Sequence, residues 1–262
     1  MTPDPTLVAA FAAAHAAVLG RIASASARVG RDPADVMLVA VSKTVASERL
    51  RAAVAAGLTT LGENRVQEAV AKTADVPGAS WHLVGHLQGN KARQAVATFD
   101  VVQSVDSIDL AGRLDRIAGE GADEGTRGRR LAVLVQVNVD EDTAKAGFAP
   151  DALPGDLPAI VALPNLDVRG LMTVGRLVAQ PADARATFIR LRRLGEDLRR
   201  AIPELGPELS MGMSDDFELA IEEGATIVRV GRALFGERPH VHGPGDAEHV
   251  HAMPDETVDR PG

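Results

Sequence analysis

The 262-residue chain has no cysteine and no tyrosine. The first absence excludes disulfides and a thiol nucleophile and fits a reducing compartment, expected here to be the cytoplasm. The second removes the phenol as a proton donor or acceptor in any reaction the chain could run. Lysine is scarce too: of 28 lysines and arginines only Lys43, Lys72, Lys91 and Lys145 are lysine. In a composition that defaults to arginine for plain cations, a lysine marks a place where an amine is wanted. Ammonium can lose its proton and condense with a carbonyl, whereas guanidinium stays charged. Cations are also outnumbered, 28 against 36 carboxylates, for a net charge of −8. That balance argues against non-specific nucleic-acid binding and requires any phosphate ligand to be held locally. No apolar run approaches the roughly 20 residues of a bilayer span. The Ala-rich start MTPDPTLVAAFAAAHAAVLG lacks the basic flank of a signal peptide and reads as a helix.

What the chain does have is the stretch VMLVAVSKT, residues 36–44, apolar on both faces until Ser42 and Lys43. Such a run reads as a strand buried in a parallel sheet, with an amine at its carboxyl end, where open sheets and barrels present ligands. Strand and helix then alternate. Strands are expected at 37–42, 58–61, 80–84, 100–103, 131–138, 167–172, 208–210 and 226–230. Helices are expected at 7–29, 47–57, 65–73, 91–97, 107–119, 150–163, 182–201 and 215–223, with a short turn at 233–235. Ser47 is the expected cap of the second helix, and Ser214 with Asp215 and Asp216 the cap of the one at 215–223. Eight alternations predict a single (β/α)8 TIM barrel, and 262 residues suit a fold that needs about 250. An open doubly wound sheet would more often carry G-x-G-x-x-G after its first strand, where VSKTVAS stands here. The expected organisation is an extra N-terminal helix over residues 1–30, the barrel over 31–238, and a disordered tail over 239–262. That tail holds His240, His242, His249 and His251 without a fixed metal geometry.

Barrel sites lie at the carboxyl ends of the strands, with phosphate held by the loops after strands seven and eight. Those loops read SMGMSDD from Ser210 and RVGRA from Arg229. Gly212 and Gly231 allow backbone N–H groups to approach an anion, and Ser210 adds a hydroxyl. Arg229 lies within an apolar strand and needs a partner. Asn64, His82, His86, Asn90 and Asn138 fall at or near the same strand ends. The arginines of the 182–201 helix read as an outer, solvated face. An amine facing a phosphate pocket fits a Schiff-base aldolase for sugar phosphates, or a lysine carrying pyridoxal phosphate.

LVAVSKT, GENRVQEA from Gly62, WHLVGHLQGNKAR from Trp81, VQVN followed by TAKAGF, VRGLM from Val168 and LSMGMSDDFELAIEEGATIVRVGRALFG from Leu209 resemble the pyridoxal phosphate homeostasis (YggS/PROSC) proteins. The resemblance covers residues 30–238. It implies a barrel like the N-terminal domain of alanine racemase, with pyridoxal 5'-phosphate (PLP) held as a Schiff base on Lys43. It also implies that Asn64 and His82 line the cofactor, that Ser210 with Gly231 and its neighbour Arg232 hold the phosphate, and that Arg229 faces the pyridine nitrogen. Such proteins usually have Ser or Thr where Arg232 stands, so its guanidinium either bonds the phosphate or points to solvent. The implied role is intracellular PLP homeostasis by a monomer without turnover, with PLP-dependent apo-enzymes as recipients, no nucleic acid, no membrane, and Lys145 as a possible second amine. Racemase or lyase activity is the alternative, but the tyrosine base and second domain of a racemase are not in evidence in the sequence.

Overall fold

Short apolar runs, each followed by a segment that buries one helical face, form eight parallel strands that close in sequence order. The computed structural model describes residues 2–123, 130–175 and 180–236. The strands are β1 (Met37–Val41), β2 (Thr60–Glu63), β3 (Ser80–Leu83), β4 (Val101–Val105), β5 (Leu131–Gln136), β6 (Leu166–Met172), β7 (Glu208–Ser210) and β8 (Ile227–Val230). The helices are α1 (Pro5–Arg28), α2 (Ser47–Ala55), α3 (Val66–Thr73), α4 (Ala92–Thr98), α5 (Ile108–Asp123), α6 (Leu153–Val161), α7 (Arg185–Ala201), α8 (Phe217–Glu222) and α9 (Arg232–Phe235). Val39 pairs with Arg229 and Ala40 with Val230, so β8 closes the ring onto β1. The main apolar core lies between sheet and helices, and a smaller one of Val39, Val84, Leu134, Met172 and Ile227 fills part of the barrel interior.

Helix α1 is 24 residues long, capped by the Asp4 side chain on the Thr6 N–H at 2.8 Å. Contrary to the sequence reading, it is long and apolar enough to cross a membrane, because alanine counts as apolar without adding bulk. It packs on the barrel through Phe11, Val18 and Ile22. Arg21 and Arg28 pair with Glu218 and Glu222 of α8, each at 2.6 Å, and Arg31 donates to the Ile221 and Ala225 carbonyls, each at 2.9 Å.

Several boundaries differ from expectation. Ser47 is the first residue of α2 and makes no capping bond; Ala46 stands at the cap, and burial of Leu50, Ala52 and Ala53 carries the helix. Helix α6 begins at Leu153, with Pro154 in its first turn. A 3-10 turn at Pro181–Ala184 precedes α7. The α7 arginines are not simply solvated: Arg185 pairs with Glu222 and Glu223, Arg190 with Asp140, and Arg192 with Glu223, tying α7 to α8 and to the loop after β5. The expected disordered tail with its histidines lies outside the described residues.

Candidate functional site

Val39 faces the barrel interior, and the two-residue alternation of β1 carries that face through Val41 to Lys43, in the turn just past the strand. Lys43 is half-buried there. Its neighbour on the side where the ring closes is the loop after β8. A side-chain carbon on Gly231 would stand 3.4 Å from the Val41 carbonyl oxygen, so this glycine lies against the last residue of β1, beside the lysine. The Gly231 N–H donates to Ser214 Oγ at 3.2 Å, which joins the loops after β7 and β8. Gly212 has φ +89°, and a Cβ there would come within 2.6 Å of Ala220 Cβ and 2.9 Å of Phe217 Cα; only glycine lets this loop pass under α8.

The cap of α8 differs from the sequence expectation, whereas Arg232 takes the second of its two expected positions. Asp216, not Ser214, stands at the cap of α8 and makes no side-chain capping bond, while the Ser214 hydroxyl turns to Gly231. The Arg232 guanidinium, half exposed, pairs with Asp215, which leaves its backbone N–H as the group on the loop.

Ser210 is fully buried inside the barrel. Its Oγ donates to Gln103 Oε1 at 2.6 Å and accepts from Arg229 Nη1 at 2.6 Å. Gln103 in turn donates Nε2 to His82 Nδ1 at 2.8 Å, and Arg229 Nη2 donates to the Thr173 carbonyl at 2.7 Å. Because β4 and β7 lie on opposite sides of an eight-stranded ring, the Gln103–Ser210 bond crosses the barrel. Arg229 can only donate, so Ser210 accepts from it; with Gln103 presenting its oxygen to Ser210 and its amide to His82, the His82 Nδ1 accepts and a neutral ring carries its proton on Nε2. Burial keeps the ring neutral: it lowers the His82 pKa from 6.5 to about 4. Burial likewise lowers Arg229 to about 10, with Asp216 opposing, so the guanidinium stays charged at neutral pH.

Asn64 follows β2, half-buried, and its backbone carbonyl packs where a Cβ on Gly85 would sit, at 2.3 Å; the loops after β2 and β3 therefore touch. His86 is exposed and its Nδ1 lies 2.8 Å from Asp106 Oδ2 at the same end of the barrel. Asn90 is exposed in a 3-10 turn. Asn138 folds the loop after β5 by bonding the Asp142 carbonyl and N–H. Lys145 Nζ donates to the Gly175 carbonyl at 2.6 Å, engaged by the loop after β6. Among the described residues no group of side chains could hold a metal ion.

The structure thus brings together Lys43, Gly212, Gly231 and the Arg232 backbone at the loops, and His82, Ser210 and Arg229 inside the barrel. Sequence reasoning missed Gln103 and Ser214. The signal for Gln103 was present as a polar side chain inside the apolar run VVQSV; none distinguished Ser214 from a capping serine. An amine beside glycine loops, backed by a buried cation, offers the types of group that could take up a phosphorylated aldehyde.

Comparisons with known proteins give the family of the fold. The family model for the alanine racemase N-terminal domain matches residues 16–239. A pyridoxal phosphate homeostasis protein of Pseudomonas aeruginosa is 44% identical over 227 residues, covering 86% of this chain and 94% of the relative. One from Aquifex aeolicus is 40% identical over 225 residues, covering 85% and 96%. The structure of PipY from Synechococcus elongatus with PLP bound is 45% identical, with a TM-score of 0.72 over 82% of this chain and 100% of that one. An alanine racemase of Clostridium difficile shares the fold at 16% identity, with a TM-score of 0.66 over 84% of this chain and 56% of that one.

Proposed function

We propose, from the premise that the chain belongs to the alanine racemase N-terminal domain family, that it binds PLP covalently through Lys43 and serves intracellular PLP homeostasis as a carrier. The observation that carries this reading is the packing of the Gly231 loop against Val41, which sets an anion loop beside the half-buried amine of Lys43. When bound, PLP supplies an aldehyde that condenses with the lysine amine, forming a C=N bond with loss of water. In this reading the phosphate is held by the Arg232 backbone N–H and by the Ser214 hydroxyl, which donates to it while accepting from the Gly231 N–H, with Gly212 and Gly231 shaping the loops; Ser210, expected from the sequence to hold the phosphate, is buried and engaged by Gln103 and Arg229, and so anchors Arg229 instead. Asn64 and His82 line the ring. Arg229 is assigned to the ring nitrogen, where a fixed like charge disfavours its protonation and weakens the cofactor as an electron sink.

A carrier without turnover is favoured over a racemase or lyase because the 262 residues contain no tyrosine, and His82 is held neutral with Nδ1 already accepting from Gln103. We place the carrier in the cytoplasm as a monomer, with PLP-dependent apo-enzymes as recipients. The test is the absorbance of the purified protein with PLP, followed by borohydride reduction and peptide mapping. A band that reduces onto Lys43, is absent in Lys43→Ala, and accompanies no turnover of amino acids is the expected result. Label on another lysine overturns the assignment of Lys43, and sustained turnover overturns the carrier.

A further inference from the structure

The chain on both sides of Lys43 is gripped by charged groups from β2 and α3. Ser42 is fully buried; its Oγ donates to Glu63 Oε1 at 2.8 Å, and its carbonyl accepts from Lys72 Nζ at 3.1 Å. Lys72 Nζ also reaches Glu63 Oε1 at 2.7 Å, with the glutamate side chain 0% and the lysine 12% exposed. On the other side, the Thr44 N–H donates to Glu68 Oε2 at 3.2 Å, and that carboxylate lies 3.8 Å from Lys72 Nζ. Thr44 has φ +66°, a left-handed conformation unfavourable for a β-branched residue, so the turn that presents Lys43 needs to be held.

Three features make this more than a fold-stabilising cluster. A compact ammonium can sit between a carbonyl and a carboxylate at one point, which a planar guanidinium does less well, and Lys72 is one of four lysines in an arginine-rich chain. Glu63 Oε2 is buried without a hydrogen-bond partner, so the pair is a poor device for stability alone. Its hydrogen bonds go instead to the residue before the reactive lysine.

We propose that Lys72, with Glu63 and Glu68, positions Lys43 by clamping Ser42 and Thr44, and so sets how fast and how tightly the amine captures the cofactor aldehyde. This rests on the assignment of PLP to Lys43. Lys72 does not touch the reacting atoms; it acts through the backbone on either side of them, and displacing an amine by about 1 Å is enough to slow its reaction roughly a hundredfold.

The experiment compares wild type, Lys72→Met, Glu68→Ala and Lys72→Met/Thr44→Gly, each checked by circular dichroism and melting temperature. Two readouts are taken: the rate and affinity of PLP capture by absorbance, and, on protein stripped of PLP, the rate at which Lys43 is reductively methylated by formaldehyde, followed by peptide mass. Lys72→Met is expected to slow both reactions and weaken PLP binding about tenfold, and Glu68→Ala to act in the same direction by a smaller factor. Adding Thr44→Gly, which relieves the left-handed residue, is expected to restore most of the loss. Wild-type rates in folded Lys72→Met and Glu68→Ala overturn the clamp, and a loss that Thr44→Gly leaves unrestored does so too, by assigning Lys72 to the fold. Should Lys72→Met not fold, Glu68→Ala decides alone, since its carboxylate is partly exposed at the surface. Failure of the PLP assignment itself looks different, because wild type then shows no band.

Discussion

At the scale of single residues, the clearest consequence concerns His82. Its pKa falls from 6.5 in the open chain to about 4 when buried, so between those values the unfolded chain binds a proton that the folded one refuses. The folded state therefore loses stability as pH drops from about 6.5 toward 4, by about 3 kcal/mol in all, and no further below that. Glu63, Glu208 and Asp216, raised by burial, act in the opposite sense, becoming easier to keep folded as acid protonates them. The effect is thus best read as a difference. His82→Gln, which can still accept from Gln103, is expected to lose less stability than wild type over that window, measured by urea midpoints at each pH. Equal slopes would mean that His82 is not held neutral. Sequence alone marked His82 and Arg229 as polar residues in apolar strands. It could not show that they share a network, because the link runs through Gln103 and Ser210 from strands far apart in the chain.

Among the secondary-structure elements, α1 does more than cover the barrel. Phe11 meets Phe235 of α9 edge to face at 5.6 Å, and Arg49 of α2 bonds the Phe235 carbonyl at 3.1 Å. Helix α9 begins directly after Gly231, so α1 and α2 together buttress the Gly231 loop from behind. Phe11→Ala is expected to cost about 3 kcal/mol and also to weaken PLP binding severalfold, measured by denaturation and by absorbance titration. A stability loss with unchanged binding would separate the helix from the loop. Element existence and order were legible because strand and helix periods differ along the whole chain. Their ends were less so: Ser47 and Ser214 have the chemistry of caps, but buried apolar contacts in α2 and the approach of Gly231 decided where those helices start. The expectation that no run is long and apolar enough to span a bilayer failed at α1 for a related reason, since a run rich in alanine is apolar by count whatever it packs against.

For the whole molecule, barrel closure followed from eight alternations, whereas the identity of what fills the ring did not. Side chains from β4, β7 and β8 meet in the middle, and apolar groups from β1, β5 and β6 fill part of the interior beside them. On the proposed reading, these side chains lie between PLP held on Lys43 and the far end of the barrel, so loading and unloading are expected to use the one face that carries Lys43 and the glycine loops. If the carrier passes its cargo directly, donor and recipient enzymes are expected to compete: size-exclusion of the carrier with both should give two binary complexes and no ternary one, and a ternary peak would refute the shared entrance. A vessel with one mouth cannot be filled while it pours, so on the proposed carrier reading delivery is expected to be a strict alternation of visits, paced by whichever visitor lingers longer.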